Sequence, residues 1–530
     1  MYLQAFKNTF FVDILEYFQL VKIYEDVPNK YIDAKGTPLY VDSSSTDIES
    51  KGGKESQKGD VDPLLIDWNG EDDPDNPQNW TSSKKNLIIF EIMMLTCINY
   101  MGSSIYTPGQ GGIQDDFHVG HVTATLNLSL YVLGYGLGQI FFSPLSEVAK
   151  IGRQQIYIIT FFIFMLLQIG CATVQNIAGL VILRFITGIL CSPSLSTGGA
   201  TIADIIHPDN LAIYIALWAI GAVAAPIVGP LLGASMVVAK NWRWCFWLLL
   251  WLAIPCLMIC VFLFPETSAA NVLSRRASRI REQTGDNRYY TKQEKLDAGV
   301  SSKQFLINTL YRPIEIIAEE PIVLAFDAYI AVCYGTFYLF FEAFPIVFVD
   351  NWGFSLIELG LSYFGFCVGC CIAFPVLVIF INKVVKPSRK DGTFVPETFL
   401  ILAMFVSWCL PCSLFLFGWA AMTHWIVPII AEIFFVICVF NLFQAAFSYL
   451  AICYPKYVAS VYAGNGFCRS ALACAFPLFG KAMYNNLAID GYPVGWGSSI
   501  IGFTSIGLAI IPFALYKYGA YLRSKSSFTG

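Results

Sequence analysis

Long apolar runs recur along the chain, separated by short polar connections. A helix needs roughly 20 apolar residues to cross about 30 Å of hydrocarbon. The runs predict helices near 86–107, 122–144, 155–175, 178–203, 211–238 and 243–264. A charged segment follows over 265–320, and then helices near 321–349, 356–382, 396–419, 424–453, 457–485 and 494–518. This reads as an all-α polytopic membrane protein. It has two six-helix halves, 86–264 and 321–518, between an N-terminal segment 1–85 and a tail 519–530.

The polar parts carry the orientation. Lys and Arg gather in the central segment (Arg275, Arg276, Arg279, Arg281, Arg288), after the second helix (Lys150, Arg153), after the eighth (Lys383, Lys386, Arg389, Lys390) and in the tail. The alternate connections are poor in them, and the loop after the first helix has Asp115 and Asp116 with no Lys or Arg. Basic loops stay on the cytoplasmic side, so both termini and the central segment are expected there. The sequon at Asn79 then faces the cytosol and is expected to be unmodified. The opening residues do not read as a signal peptide. Phe6, Phe10, Phe11, Ile14, Leu15 and Phe18 fall on one face of a helix that would lie on the inner leaflet or dock on the protein. Asp42 to Asp60 is polar and low in apolar residues, and is expected to be disordered.

Composition narrows the function. Residues are 56% hydrophobic and 13% charged, so the net charge of −5 says less than where the charges lie. No basic patch points to nucleic acid, and no phosphate-binding loop points to ATP. All sixteen cysteines fall in predicted spans, which argues against a disulfide framework. The four histidines are too scattered to suggest a metal site, and no cofactor or enzymatic constellation is visible.

Charges inside spans are the informative exceptions, because each costs about 2.5–3.5 kcal/mol at mid-helix. Arg184, Asp204, Asp327, Glu342, Glu432 and Arg469 are the candidates for moving protons or tuning a group that does. An arginine cannot itself release a proton at working pH. Asp327 and Glu342 lie on one helix but about 22 Å apart along its axis, too far to pair. A Glu342–Arg469 ion pair is the structural alternative for Glu342. Glu91 is placed near a helix start, and Lys481 is expected to snorkel. Aromatics make up 15% of the chain. Tyr334, Phe337, Tyr338, Phe341, Phe440, Phe443 and Gln444 are candidates for a cavity that takes flat apolar molecules.

One predicted span holds the stretch IGAVAAPIVGPLLGAS, with Gly221, Pro226, Gly229, Pro230 and Gly233 in a single helix. Small residues permit close helix approach, and proline kinks a helix, so a bent, tightly packed helix is expected. GPLLGA (229–234), GQIFFSPLSEVAKIGRQ (138–154) and LRFITGILCSPS (183–194) resemble motifs of the major facilitator superfamily. FPETSAANVLSRRASRIREQTGD (264–286), YLFFEAFPIVF (338–348) and YPKYVASVYAGNGFCRSALACAFPLFG (454–480) resemble the fungal twelve-span drug:proton antiporters within it. The resemblance runs from about Asp67 to the C-terminus.

It implies the major facilitator fold and proton-coupled efflux of lipophilic compounds such as azoles and benomyl-like fungicides by alternating access. The plasma membrane, a monomer, lipid surroundings and a proton gradient as the driving force come with it. It implies a proton-coupling role for Arg184. It also implies a gating loop of Glu147, Gly152 and Arg153, and an antiporter motif whose glycines join the two halves. Glu147 stands five residues before Gly152, a longer spacing than the general motif has. The alternatives are a proton-coupled transporter of one defined metabolite, or a sensor built on the same fold.

Overall fold

The computed structural model describes residues 7–23, 62, 64–299 and 310–528. The stretch Asp42–Asp60 and Phe6 lie outside the described residues. Twelve long helices among the described residues form the body. They are α1 (Ser82–Ser104), α2 (His121–Leu145), α3 (Gln154–Thr173), α4 (Ile177–Ile205), α5 (Pro208–Ala239) and α6 (Arg243–Leu263). After the central segment come α7 (Pro321–Asn351), α8 (Leu356–Lys390), α9 (Thr398–Ala420), α10 (Ile426–Cys453), α11 (Val458–Asn486) and α12 (Gly495–Lys525). Eleven of them are long and apolar enough to cross a membrane. The exception, α11, is 29 residues long but carries Asn465, Arg469 and Lys481.

The halves meet through a few helices. Helix α2 packs on α4 of its own half and on α11 of the other, α5 packs on α8, and α7 packs on α11. The run Gly134, Gly136, Gly138 makes the double contact of α2 possible. A Cβ on Gly138 would lie 2.6 Å from the Ile189 carbonyl oxygen, and one on Gly136 would lie 2.8 Å from the Ser470 hydroxyl. Alternate glycines thus face opposite neighbours, as 100° per residue requires. Helix α7 is the most enclosed span, and its final turns, Pro345–Asn351, widen into π-helical geometry just past Glu342. Such turns frequently accompany functional positions.

Helix α5 runs unbroken through Pro226 and Pro230. Its motif glycines face α1 of the same half: Gly229 would place a Cβ 2.6 Å from Ser104 Oγ, and Gly233 would run into the Ile105 carbonyl. This corrects the expectation that they join the two halves. The α5 contact with the other half is made instead by Leu231, whose backbone lies against Gly360. Gly221 meets only Met93, at 3.4 Å.

A cap covers one end of the first half. The helix Phe10–Tyr17 docks on the protein, with the Phe11 ring 4.9 Å from Phe262. It is held to the central helix Ala269–Thr284 by Arg275 to Asp13 at 2.7 Å and Arg279 to Glu16 at 2.9 Å. Arg276 of that helix, almost fully buried, reaches Asp73 and Asp75, each at 2.8 Å. Asn79 is engaged as well, its side-chain amide donating to the carbonyls of Glu71 at 2.6 Å and Asp73 at 3.0 Å.

Candidate functional site

Helix periodicity sets the site. On α7, Tyr334, Tyr338 and Glu342 recur at four-residue intervals and form one stripe about 12 Å long. On α2, His121, Thr125 and Tyr135 fall on the facing side. The inter-half hydrogen bonds among the described residues join these two stripes and α1. At the middle, Tyr135 and Tyr334 hydroxyls lie 2.6 Å apart, Tyr334 donates to Tyr100 at 3.3 Å, and Tyr338 donates to Ser103 Oγ at 3.2 Å. About four turns outward along α2, His121 Nε2 lies 2.7 Å from Glu342 Oε2. Thr125 adds a donor to the other carboxylate oxygen at 3.4 Å, and Gln110 supports Thr125 at 2.7 Å. Glu342 therefore pairs with His121 of the opposite half, and Arg469 is not its partner.

Glu342 and His121 line a cavity of about 210 Å³ between the halves, shared with Gln110, Pro230, Tyr363 and Lys481. Below it the aromatic rings continue. Tyr334, Phe337, Tyr338 and Phe341 form a connected ring cluster, and Phe443 of α10 joins it 6.5 Å from Tyr334. Phe440 and Gln444 are buried on α10, and Phe440 makes no ring pair with the cluster among the described residues.

The other candidate charges are dispersed. Arg184 is fully buried in the first half, where Nε donates to the Asn127 carbonyl at 3.1 Å and Nη2 to the Ser103 carbonyl at 3.2 Å. The Tyr131 ring lies 4.3 Å from its guanidinium. Asp327 accepts from Asn465 at 2.8 Å. Glu432 is buried beside Gly365, with neither carboxylate oxygen hydrogen-bonded among the described residues. Asp204, at the end of α4, holds the loop after α2: it accepts from Arg153 Nε at 2.6 Å and Nη2 at 3.3 Å. The expectation gave that role to Glu147, which is exposed. Glu266, unmentioned in the sequence reading, organises the same loop by accepting the amides of Arg153, Gln154, Thr267 and Ser268 at 2.8–3.1 Å. Gly152 sits there at φ +74°, where side chains are strained.

Sequence reasoning found Glu342 and the α7 tyrosines but missed His121, Gln110, Tyr100 and Tyr135. The signal for two of them was present: His121 and Thr125, then Tyr131 and Tyr135, repeat at i, i+4 in an apolar helix.

Two bundles joined by titratable and aromatic side chains in the membrane interior define a membrane transporter of the alternating-halves type. The comparisons agree. The family profile described as Major Facilitator Superfamily matches residues 92–477. Fluconazole resistance protein 1 of Saccharomyces cerevisiae is 58% identical, over all of both chains. Multidrug transporter FLR1 of Candida glabrata is also 58% identical, over 99% of each. The solved proton:xylose symporter XylE superposes with a TM-score of 0.57 at 12% identity, covering 83% of this chain and 96% of its own, a likeness of fold alone. The chain belongs to the Major Facilitator Superfamily.

Proposed function

We propose that this chain is a proton-driven exporter of lipophilic compounds, working as a monomer in the plasma membrane with both termini cytoplasmic. The names of its relatives, a fluconazole resistance protein and a multidrug transporter, support the substrate class. The observation that carries the coupling is the Glu342–His121 bridge between halves, 2.7 Å long and lining a cavity. A carboxylate and an imidazole in contact hold each other best when charged oppositely. A proton taken up from outside by Glu342 weakens that bridge and lets the outer ends of the halves part. Drug bound against the ring cluster of α7 then leaves outward, and loss of the proton to the cytoplasmic side restores the bridge. Each state change is a bias on rocking of the halves.

Everted vesicles holding the full chain should accumulate radiolabelled fluconazole when the lumen is made acidic, without ATP. Glu342→Gln and His121→Gln should each reduce gradient-driven uptake about tenfold or more, a loss of one charge-assisted hydrogen bond. The double variant should be little worse than either, since partners in one contact are not additive. Uptake indifferent to the gradient in the unaltered chain would sink the coupling.

A further inference from the structure

Arg469 is one of the intramembrane charges that the exchange cycle leaves without employment, and its place at the α7 tyrosines sets it apart. It lies near the middle of α11, its guanidinium carbon 5.3 Å from the centre of the Tyr334 ring. Its Nε is buried and has no hydrogen-bond partner among the described residues. The ring it faces carries a hydroxyl 2.6 Å from that of Tyr135 and 3.3 Å from that of Tyr100. The two acids of α7 are occupied, Asp327 by Asn465 at 2.8 Å and Glu342 by His121 at 2.7 Å. Arg184 shows how the same fold holds a buried guanidinium: two backbone carbonyls and three aromatic faces surround it, with only Nη1 left without a partner among the described residues. Arg469 has one ring face and a fork of donors left over. A guanidinium inside a membrane is retained where it pairs or faces a polar path, and its planar fork fits a carboxylate or sulfonate.

We infer that Arg469 is an anion-recognising residue at the tyrosine cluster between the halves, and that the exporter takes flat lipophilic monoanions. The charged end pairs with Arg469 and the apolar part lies against Tyr334, Phe337 and Phe443. This rests on the efflux reading above and names a substrate class within it.

The test uses the full chain in lipid nanodiscs, with empty discs subtracted, and two probes on one skeleton. These are 8-anilinonaphthalene-1-sulfonate, an anion, and N-phenyl-1-naphthylamine, its neutral parent. Arg469→Gln should weaken the anion about tenfold or more and the neutral probe by less than about twofold. Arg469→Lys keeps the charge without the fork, so it should weaken the anion several-fold and leave the neutral probe unchanged. Should the Gln variant fail to fold, the Lys variant decides alone. Equal losses of both probes make Arg469 structural and overturn the proposal, as does unchanged anion binding. If the unaltered chain binds only the neutral probe, the anion site falls and efflux stands; if it binds neither, the efflux reading falls first.

Discussion

Alanine at Gly233 probes the α1–α5 contact most sharply. The new Cβ would run into the Ile105 carbonyl and meet Pro108 Cδ at 3.5 Å. That carbonyl is backbone and cannot swing aside, so α1 and α5 must separate. Overpacking of this kind costs about 1–3 kcal/mol, and Gly233→Ala belongs at the upper end. At Gly229 the nearest atom is Ser104 Oγ at 2.6 Å, with Ile105 N and Met101 Cγ at 3.3 Å. A hydroxyl can change rotamer, so Gly229→Ala should cost about 1 kcal/mol. At Gly221 the nearest atom is Met93 Cε at 3.4 Å, an ordinary contact. Removing a helix-interior glycine there is worth about 0.5–1 kcal/mol in favour of the variant. The expected stability order is Gly221→Ala, the unaltered chain, Gly229→Ala, Gly233→Ala. Thermal melts of the solubilised chain give the order, and vesicle export of fluconazole shows whether the α1–α5 packing matters for transport. If Gly233→Ala melts with Gly221→Ala, the two helices do not meet as described. If Gly229→Ala melts below Gly233→Ala, the ranking of backbone over side-chain contacts is wrong.

Arg276→Ala leaves Asp73 and Asp75 without the guanidinium that lies 2.8 Å from each. Breaking a buried pair costs about 3–5 kcal/mol, and the cleavage of residues 64–80 by trace protease should rise accordingly. The same cap should resist mild acid. Burial pushes the Asp73 carboxyl up, but Arg276 and the amides of Asn69 and Asp75 outweigh it and hold it below its ordinary value of 3.8. A depressed carboxylate stabilises above its unfolded value and loses that contribution as pH falls through its folded one. The protease pattern should therefore be unchanged from about pH 7 to 5 and alter only below about 4; opening between about pH 7 and 6 would contradict the assignment. Asp204→Asn should destabilise the chain by about 1–3 kcal/mol through loss of the Arg153 pair, seen as a lower melting midpoint, while Glu147→Gln stays within about 0.5 kcal/mol. Equal effects would return the loop acid to Glu147.

The helices were legible because their cause is local. The run near 457–485 anticipated α11 at Val458–Asn486 to within a residue at each end, although Arg469 sits in its middle. The proline-bearing run near 211–238 was equally readable as α5, Pro208–Ala239. Partners were not legible. His121 and Glu342 stand 221 residues apart, and Arg153 and Asp204 stand 51 apart. The resemblance supplied Glu147 as the acid of the Arg153 loop, and the glycines of α5 were assigned to the wrong neighbour for want of the helix's rotation.

Hydrocarbon thickness and the cost of exposed backbone act on each segment by itself, so the amino-acid sequence alone settled twelve helices and the family they resemble. Which charges meet depends on how each helix is turned about its axis and how the halves dock. A turn of 100° per residue separates a packing glycine from its neighbour in the chain, and only the tertiary structure set that angle. It put Glu342 against His121, gave Arg153 to Asp204, and left Arg469 facing the tyrosines.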